Sequence, residues 1–296
     1  MVGVGWTDPT RVGSEVSTRP LTRMKITETQ LPQRFRDEIA DQITIYNQPR
    51  TFEERRTIPD TTIIPIHDKS RWLRIREVIC VYVDMLGSTS LSASLHEKGT
   101  AGAYQLFTGT AVAIFDSFDA PYIDVKGDGV FALFNQNQAY RALAAAVTFK
   151  TFSKEEFVPR IREATQLSVG CHIGIDQKLV LVRKLGLKRF GDRTDRQNEV
   201  WAGKPVNMAS KLASRSLDGE LLVSDRYYSS ISHEKARLSC GCQNGQPTGT
   251  NAPLWSPVDV SDDKKFDFAT AHCLKSYWCP VHGSKVCESL LALDKE

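Results

Sequence analysis

Six apolar residues in succession, Val78 to Val83, run directly into a carboxylate, Asp84, and then onto Gly87, Ser88 and Thr89. An unbroken apolar run of this length is the mark of a strand covered on both faces. The chain must therefore bury a sheet strand completely and still end it on an acid.

Helices downstream can supply the cover. Ala103, Leu106, Phe107, Ala111, Ile114, Phe115 and Phe118 recur at spacings of three and four, one apolar helical stripe that Pro121 ends. "YIDVKGDGVFALF" reads as strand, Gly-flanked turn, strand. "QAYRALAAAVTFKTF" reads as a second helix, "LSVGCHIGID" and "KLVLVRKLG" as two further strands, and "PVNMASKLASRS" as a helix entered from a Gly-Lys-Pro loop. "GELLVSD" adds a strand and "RYYSSIS" a short helix. The order β-α-β-β-α-β with a further β, α and β predicts an α+β fold, a ferredoxin-like βαββαβ core with extra β/α elements.

Three segments are expected. Residues 1–70 form a polar N-terminal extension with one helix, Pro32 to Ile45, and no visible chemistry. Residues 71–235 hold the α+β domain. Residues 236–296 form a small Cys/His-rich C-terminal region. A formal net charge of +3 on 296 residues argues against a nucleic-acid binder. No apolar run is long enough to span a membrane and the N-terminus lacks a secretory pattern, so a cytoplasmic protein is expected, its seven cysteines thiols or metal ligands.

Asp84 ends the first strand and Asp128 sits in the turn of the next hairpin. Either acid alone serves equally well as a turn residue. On adjacent strands they form a like-charged pair that cations must neutralise. Two Mg²⁺ or Mn²⁺ ions about 3.5–4 Å apart would do so and act on a phosphoryl group. Gly87 lets the backbone approach closely. The amides from Leu86 to Thr89, with the hydroxyls of Ser88 and Thr89, can meet phosphate oxygens.

At these residues the chain resembles the class III nucleotidyl cyclases. "VYVDMLGSTSLS" and "KGDGVFALF" resemble the family's two metal motifs, "VGCHIGID" its succeeding strand, "WAGKPVNMASKL" its Asn-bearing helix and "GELLVSD" its next strand. The likeness runs from Val78 to Ile231. It implies a homodimer with shared active sites, the acids from one copy and the Asn and basic residue from the other. It implies Asp84, Asp128 and the Met85 carbonyl as metal ligands and Asn207 as the ribose-orienting residue. Lys211 stands where the family has an arginine, and Arg215 lies one helical turn further on.

The family's ATP-reading positions hold Asp124 and Val200 here, with Glu199 adjacent. Asp124 can accept a proton from uracil N3–H or a cytosine amine. Tyr82, on the face of Asp84, either narrows the base pocket or is a packed core aromatic. Lys126 and the basic stretch Arg183, Lys184, Lys188 and Arg189 either contact phosphates or form a solvated face.

The changed base positions and the Cys/His tail resemble the pyrimidine cyclases of bacterial anti-phage (Pycsar) systems. That likeness implies UTP as substrate, cyclic UMP and pyrophosphate as products, and a separately encoded effector downstream. CTP, a purine triphosphate, or a silent nucleotide sensor are the alternatives. A polymerase-like palm would share the acids but leave the Asn207 helix unexplained.

In the tail, Cys240-x-Cys242 and Cys279-x-x-His282 read as zinc half-sites, with Cys273 and Cys287 as further candidate ligands. The other reading is a scatter of thiols and surface histidines.

Overall fold

The computed structural model describes residues 24–186, 197–243 and 246–294. The chain divides into two compact units between Thr51 and Phe52. The first unit holds helix α1 (Gln33–Asn47). After it come β1 (Thr51–Arg55), β2 (Arg71–Leu86), α2 (Ser88–Ser94), α3 (Glu97–Ser117), β3 (Tyr122–Lys126), β4 (Gly129–Phe134), α4 (Ala139–Phe152) and α5 (Val158–Thr165). The chain continues through β5 (Gly170–Gly186), β6 (Gln197–Gly203), α6 (Lys204–Arg215), β7 (Leu221–Ser224), α7 (Asp225–Ser230) and α8 (Glu234–Arg237). The C-terminal segment adds β8 (Cys242–Gln243), β9 (Gln246–Pro247), β10 (Trp255–Asp259), β11 (Thr270–Leu274) and α9 (Gly283–Leu291).

The core strands lie in the order β5-β2-β4-β3 within a larger sheet. Numbered along the βαββαβ unit, that is the 4-1-3-2 order of a ferredoxin-like fold. The sheet continues from β5 through a parallel β7 to β11 and β10, while β1 pairs with β2 and β6 with β5. The composition change near residue 236 therefore marks no break in the sheet.

The apolar run is explained by alternation along β2. Ile79, Val81, Val83 and Met85 enter the cluster built with Phe107, Phe115 and Phe149 of α3 and α4. Val78 and Cys80 face the other way, into a cluster that includes Ala209 of α6, with Tyr82 packed against it. A bulge between Ile75 and Val78, with Glu77 at φ 52°, keeps Leu73 and Ile75 on that second face too.

Two expectations about elements need correction. "LSVGCHIGID" and "KLVLVRKLG" are not two strands but parts of one 17-residue strand, β5. Its middle, Asp176 to Lys178, stays paired to β2, because Arg226 neutralises the fully buried Asp176. Helix α5 was not expected; it continues α4 through a wide π turn, Ser153–Phe157.

Candidate active site

β2 and β4 are antiparallel neighbours, with Val83 opposite Val130. Asp84 lies one step beyond that pair, beside Gly129 and the Asp128 turn. A Cβ on Gly129 would collide with the Tyr82 hydroxyl and lie 3.0 Å from Asp84 Oδ1, so both groups crowd over that glycine. Burial raises the Asp84 pKa above its usual value, and the charge of Asp128 raises it further; His172 and the Met85 amide oppose the shift. Burial and then Asp84 likewise raise the Tyr82 hydroxyl, against a hydrogen bond with Ser210 of α6. The sheet thus brings Tyr82, Asp84 and Asp128 together.

Gly87 comes directly after β2 at φ 86°, a left-handed position, and caps α2. A Cβ there would sit 2.6 Å from the Ser168 carbonyl oxygen, so only glycine fits both the angle and the space. Ser88 is half-buried and Thr89 exposed at the start of α2, and the Met85 side chain is buried in the core. On β3, Asp124 pairs in register with Phe131, which itself pairs with Tyr82, so all three share a face. Lys126 Nζ lies 2.9 Å from Asp124 Oδ2, so these two candidates hold each other.

Asn207 and Lys211 lie one turn apart on α6, Asn207 exposed. The buried face of α6 is Pro205, Met208, Ala209, Leu212 and Ala213. Among the described residues, the charges that act on Asp84 are those of Asp128 and His172, and Lys211 is not one of them. Instead Lys211 Nζ donates to the Lys265 carbonyl at 2.9 Å, and Arg215 donates to Asp262 at 3.0 Å. Lys211 and Arg215 are thus engaged by the β10–β11 loop, while Ser210 on the same helix reaches Tyr82 beside Asp84.

Arg183 is buried and donates to the carbonyls of Lys69 and Ile66, and Lys184 pairs with Glu199 at 3.5 Å. Lys188 and Arg189 lie outside the described residues.

Two features escaped sequence reasoning. His172 lies directly opposite Asp84 across β5, its Nδ1 donating to the Ser216 carbonyl at 2.7 Å. Strand alternation shows which face it is on, but only the pairing register shows that it meets Asp84. The second is the β10–β11 loop. Its Asp267 accepts from Lys178 (2.9 Å), Lys204 (2.7 Å) and Arg226 (3.0 Å), and Arg226 also donates to the buried Asp176 at 2.7 Å. No motif marks a loop whose partners are spread over β5, α6 and α7.

Against a burial effect that raises it, Lys204, Lys178 and Arg226 hold the Asp267 pKa well below its usual 3.8. A carboxylate with a depressed folded pKa contributes stability above its unfolded value and loses it as pH falls through the folded one. Asp267→Asn is thus expected to cost about 1 kcal/mol at pH 7, a screened surface network's worth. Thermal melts should show the gap from wild type closing as pH drops below 3.8. A gap that persists unchanged at low pH would refute this.

In the C-terminal segment the ligand atoms of Cys240, Cys242, Cys279 and His282 all lie within 4.8 Å of one another. Cys273 is elsewhere, buried on β11 with Leu212 and Leu222, and Cys287 lies on α9 outside the cluster. Burial raises the Cys279 pKa, but the amides of His282 and Val281 and the thiols of Cys240 and Cys242 bring it down to about 7.

The chain matches no protein-family model. It is 31% identical to a uridylate cyclase of Micromonospora echinofusca over 90% of this chain and 86% of that protein. It is 34% identical to a uridylate cyclase of Propioniciclava tarda over 84% of this chain and 80% of that one. Among solved structures, the adenylyl cyclase CyaB from P. aeruginosa superposes with a TM-score of 0.52 at 21% identity, over 69% of this chain and 94% of CyaB. That likeness shows the class III cyclase fold. With relatives this similar across most of both chains, the protein belongs to the uridylate cyclase family of nucleotide cyclases.

Proposed function

We propose that the protein converts UTP to 3′,5′-cyclic UMP and pyrophosphate, at a site shared between two copies of the chain. The observation that carries this reading is the pair Asp84 and Asp128 on neighbouring strands, with no lysine or arginine of the described residues among the charges that act on Asp84, and with Asn207 exposed on α6. UTP is favoured because both relatives are named uridylate cyclases.

Asp84, Asp128 and the Met85 carbonyl form an all-oxygen donor set that suits two Mg²⁺ or Mn²⁺ ions. The mutual charge on the acids gives a cation a reason to bind there. When bound, such ions supply charge neutralisation for the triphosphate and favour loss of the ribose 3′-OH proton. The amides from Leu86 to Thr89, opened by Gly87, take phosphate oxygens. Asn207 of the second copy orients the ribose, and its Lys211 offsets charge on the phosphorus that the 3′ oxygen attacks as pyrophosphate leaves. Lacking the fork of arginine, Lys211 acts as a point charge. Tyr82 narrows the base pocket. Asp124 accepts from the base, Lys126 swinging to a phosphate when it does.

No helix among the described residues is long and apolar enough to cross a membrane. We place the enzyme in the cytoplasm, in anti-phage defence, its cyclic nucleotide acting on a separately encoded effector; the likeness of its motifs to pyrimidine cyclases supports this. We infer also that Cys240, Cys242, Cys279 and His282 hold a structural zinc ion. Their three thiols and one imidazole are a donor set that zinc prefers.

The activity test is incubation of purified protein with each of the four nucleoside triphosphates and Mn²⁺, with products resolved by mass spectrometry. Cyclic UMP is expected to dominate. Cyclic CMP or a cyclic purine as main product would overturn the base assignment, and no cyclic product would overturn the activity.

A further inference from the structure

Helix α4 is buried on every side: Ala142, Ala144, Ala145, Ala146 and Phe149 are all fully buried. A helix apolar all round needs a cover on each face. The sheet and α3 supply part of that cover, and the C-terminal segment supplies the rest along the helix. At the N-terminal end the Asp294 carboxylate accepts from the amides of Tyr140 (2.9 Å) and Arg141 (2.6 Å). In the middle Trp278 Nε1 donates to Thr148 Oγ1 at 2.8 Å. Towards the C-terminal end the Trp278 amide donates to Thr151 Oγ1 at 3.1 Å. The buried ammonium of Lys150 donates to the Leu274 and Ser276 carbonyls at 2.8 and 2.9 Å.

The covering segment has little of its own to hold it. Residues 275–282 form neither helix nor strand, and α9 has only nine residues, too few for a stable helix alone. The Cys/His cluster sits at this point, between Trp278 and α9. It brings Cys279 and His282 to Cys240, in the loop after α8, and Cys242, the first residue of β8. Around zinc, sulfur at about 2.3 Å and nitrogen at about 2.0 Å put neighbouring ligand atoms roughly 3.4–3.8 Å apart. The Cys242 Sγ–His282 Nδ1 separation is 3.2 Å and Cys279 Sγ–His282 Nδ1 is 4.0 Å, so the cluster closes round an ion with small movements.

Resting on the zinc reading above, we propose that zinc at Cys240, Cys242, Cys279 and His282 is the fastener that holds Trp278, α9 and Asp294 as the outer cover of α4. The C-terminal segment is then a metal-dependent layer of the cyclase core, not a separable appendage.

The test uses the full-length protein, purified without chelator and read by metal analysis, hydrogen exchange and thermal melting. One zinc per chain is expected. Chelation should raise exchange in both α4 and residues 283–294 and lower the melting temperature by at least about 5 °C, with zinc restoring both. Cys279→Ser and His282→Ala should lose the ion, and Cys287→Ser should keep it. No zinc as purified and none bound on adding Zn²⁺ would overturn the zinc reading. Zinc present, but exchange in α4 unchanged when it is removed, would overturn the fastening while leaving the zinc site standing.

Discussion

Asp128→Ala is expected to lower cyclic-nucleotide formation by about 10²–10³-fold, since removing a single group that stabilises transition-state charge commonly costs that much. The fold should survive. Asp128 sits in a tight turn, half-exposed, and its charge acts on Asp84 as repulsion. Deleting it relieves the metal-free protein, so its melting temperature should hold or rise slightly. Mn²⁺ tells the two readings of the acid apart. Added Mn²⁺ should raise the wild-type melting point by linkage and leave the variant unmoved. A variant that still cyclises UTP, or one that unfolds, would sink the metal assignment.

Gly174→Ala is expected to be the most destabilising single methyl in the core, about 3 kcal/mol or more by overpacking. Gly174 lies on β5 opposite Tyr82, directly under α6. A Cβ there would strike the Ala209 carbonyl oxygen and lie 2.5 Å from the Ala213 amide nitrogen and 2.9 Å from Leu212 Cβ. Two of the three obstacles are backbone, so no rotamer change relieves them and the helix must lift. Because α6 carries Asn207 and Lys211, activity should fall further than the folded fraction does. Chemical denaturation and steady-state rates on the same sample decide it. An alanine variant of unchanged stability would show that α6 does not rest on β5 as described.

Local signals account for much of this arrangement. The run from Val78 to Val83 fixed a doubly covered strand, and the Gly-flanked turn at Asp128 fixed the hairpin beside it. Together they gave the sheet neighbours that crowd Tyr82, Asp84 and Asp128. Long-range pairing was not legible. His172 meets Asp84 only through the β2–β5 register, and the polar stretch Asp176-Gln177-Lys178 looked like a break because its partner Arg226 is 50 residues away. The C-terminal strands β10 and β11 have five residues each, too short for periodicity to show. In the tail the spacing of cysteines supplied six candidate ligands, and the fold selected four by bringing two distant pairs together.

The central claim is that one catalytic site needs residues from two chains, and a mixing assay tests it directly. Asp128→Ala and Asn207→Ala proteins are each inactive on this account, for different reasons. Mixed in equal amounts and allowed to exchange, half the dimers pair one of each and carry one intact site, so UTP cyclisation should return to about one quarter of wild type. A mixture that exchanges subunits yet stays as inactive as its two components would contradict the shared site.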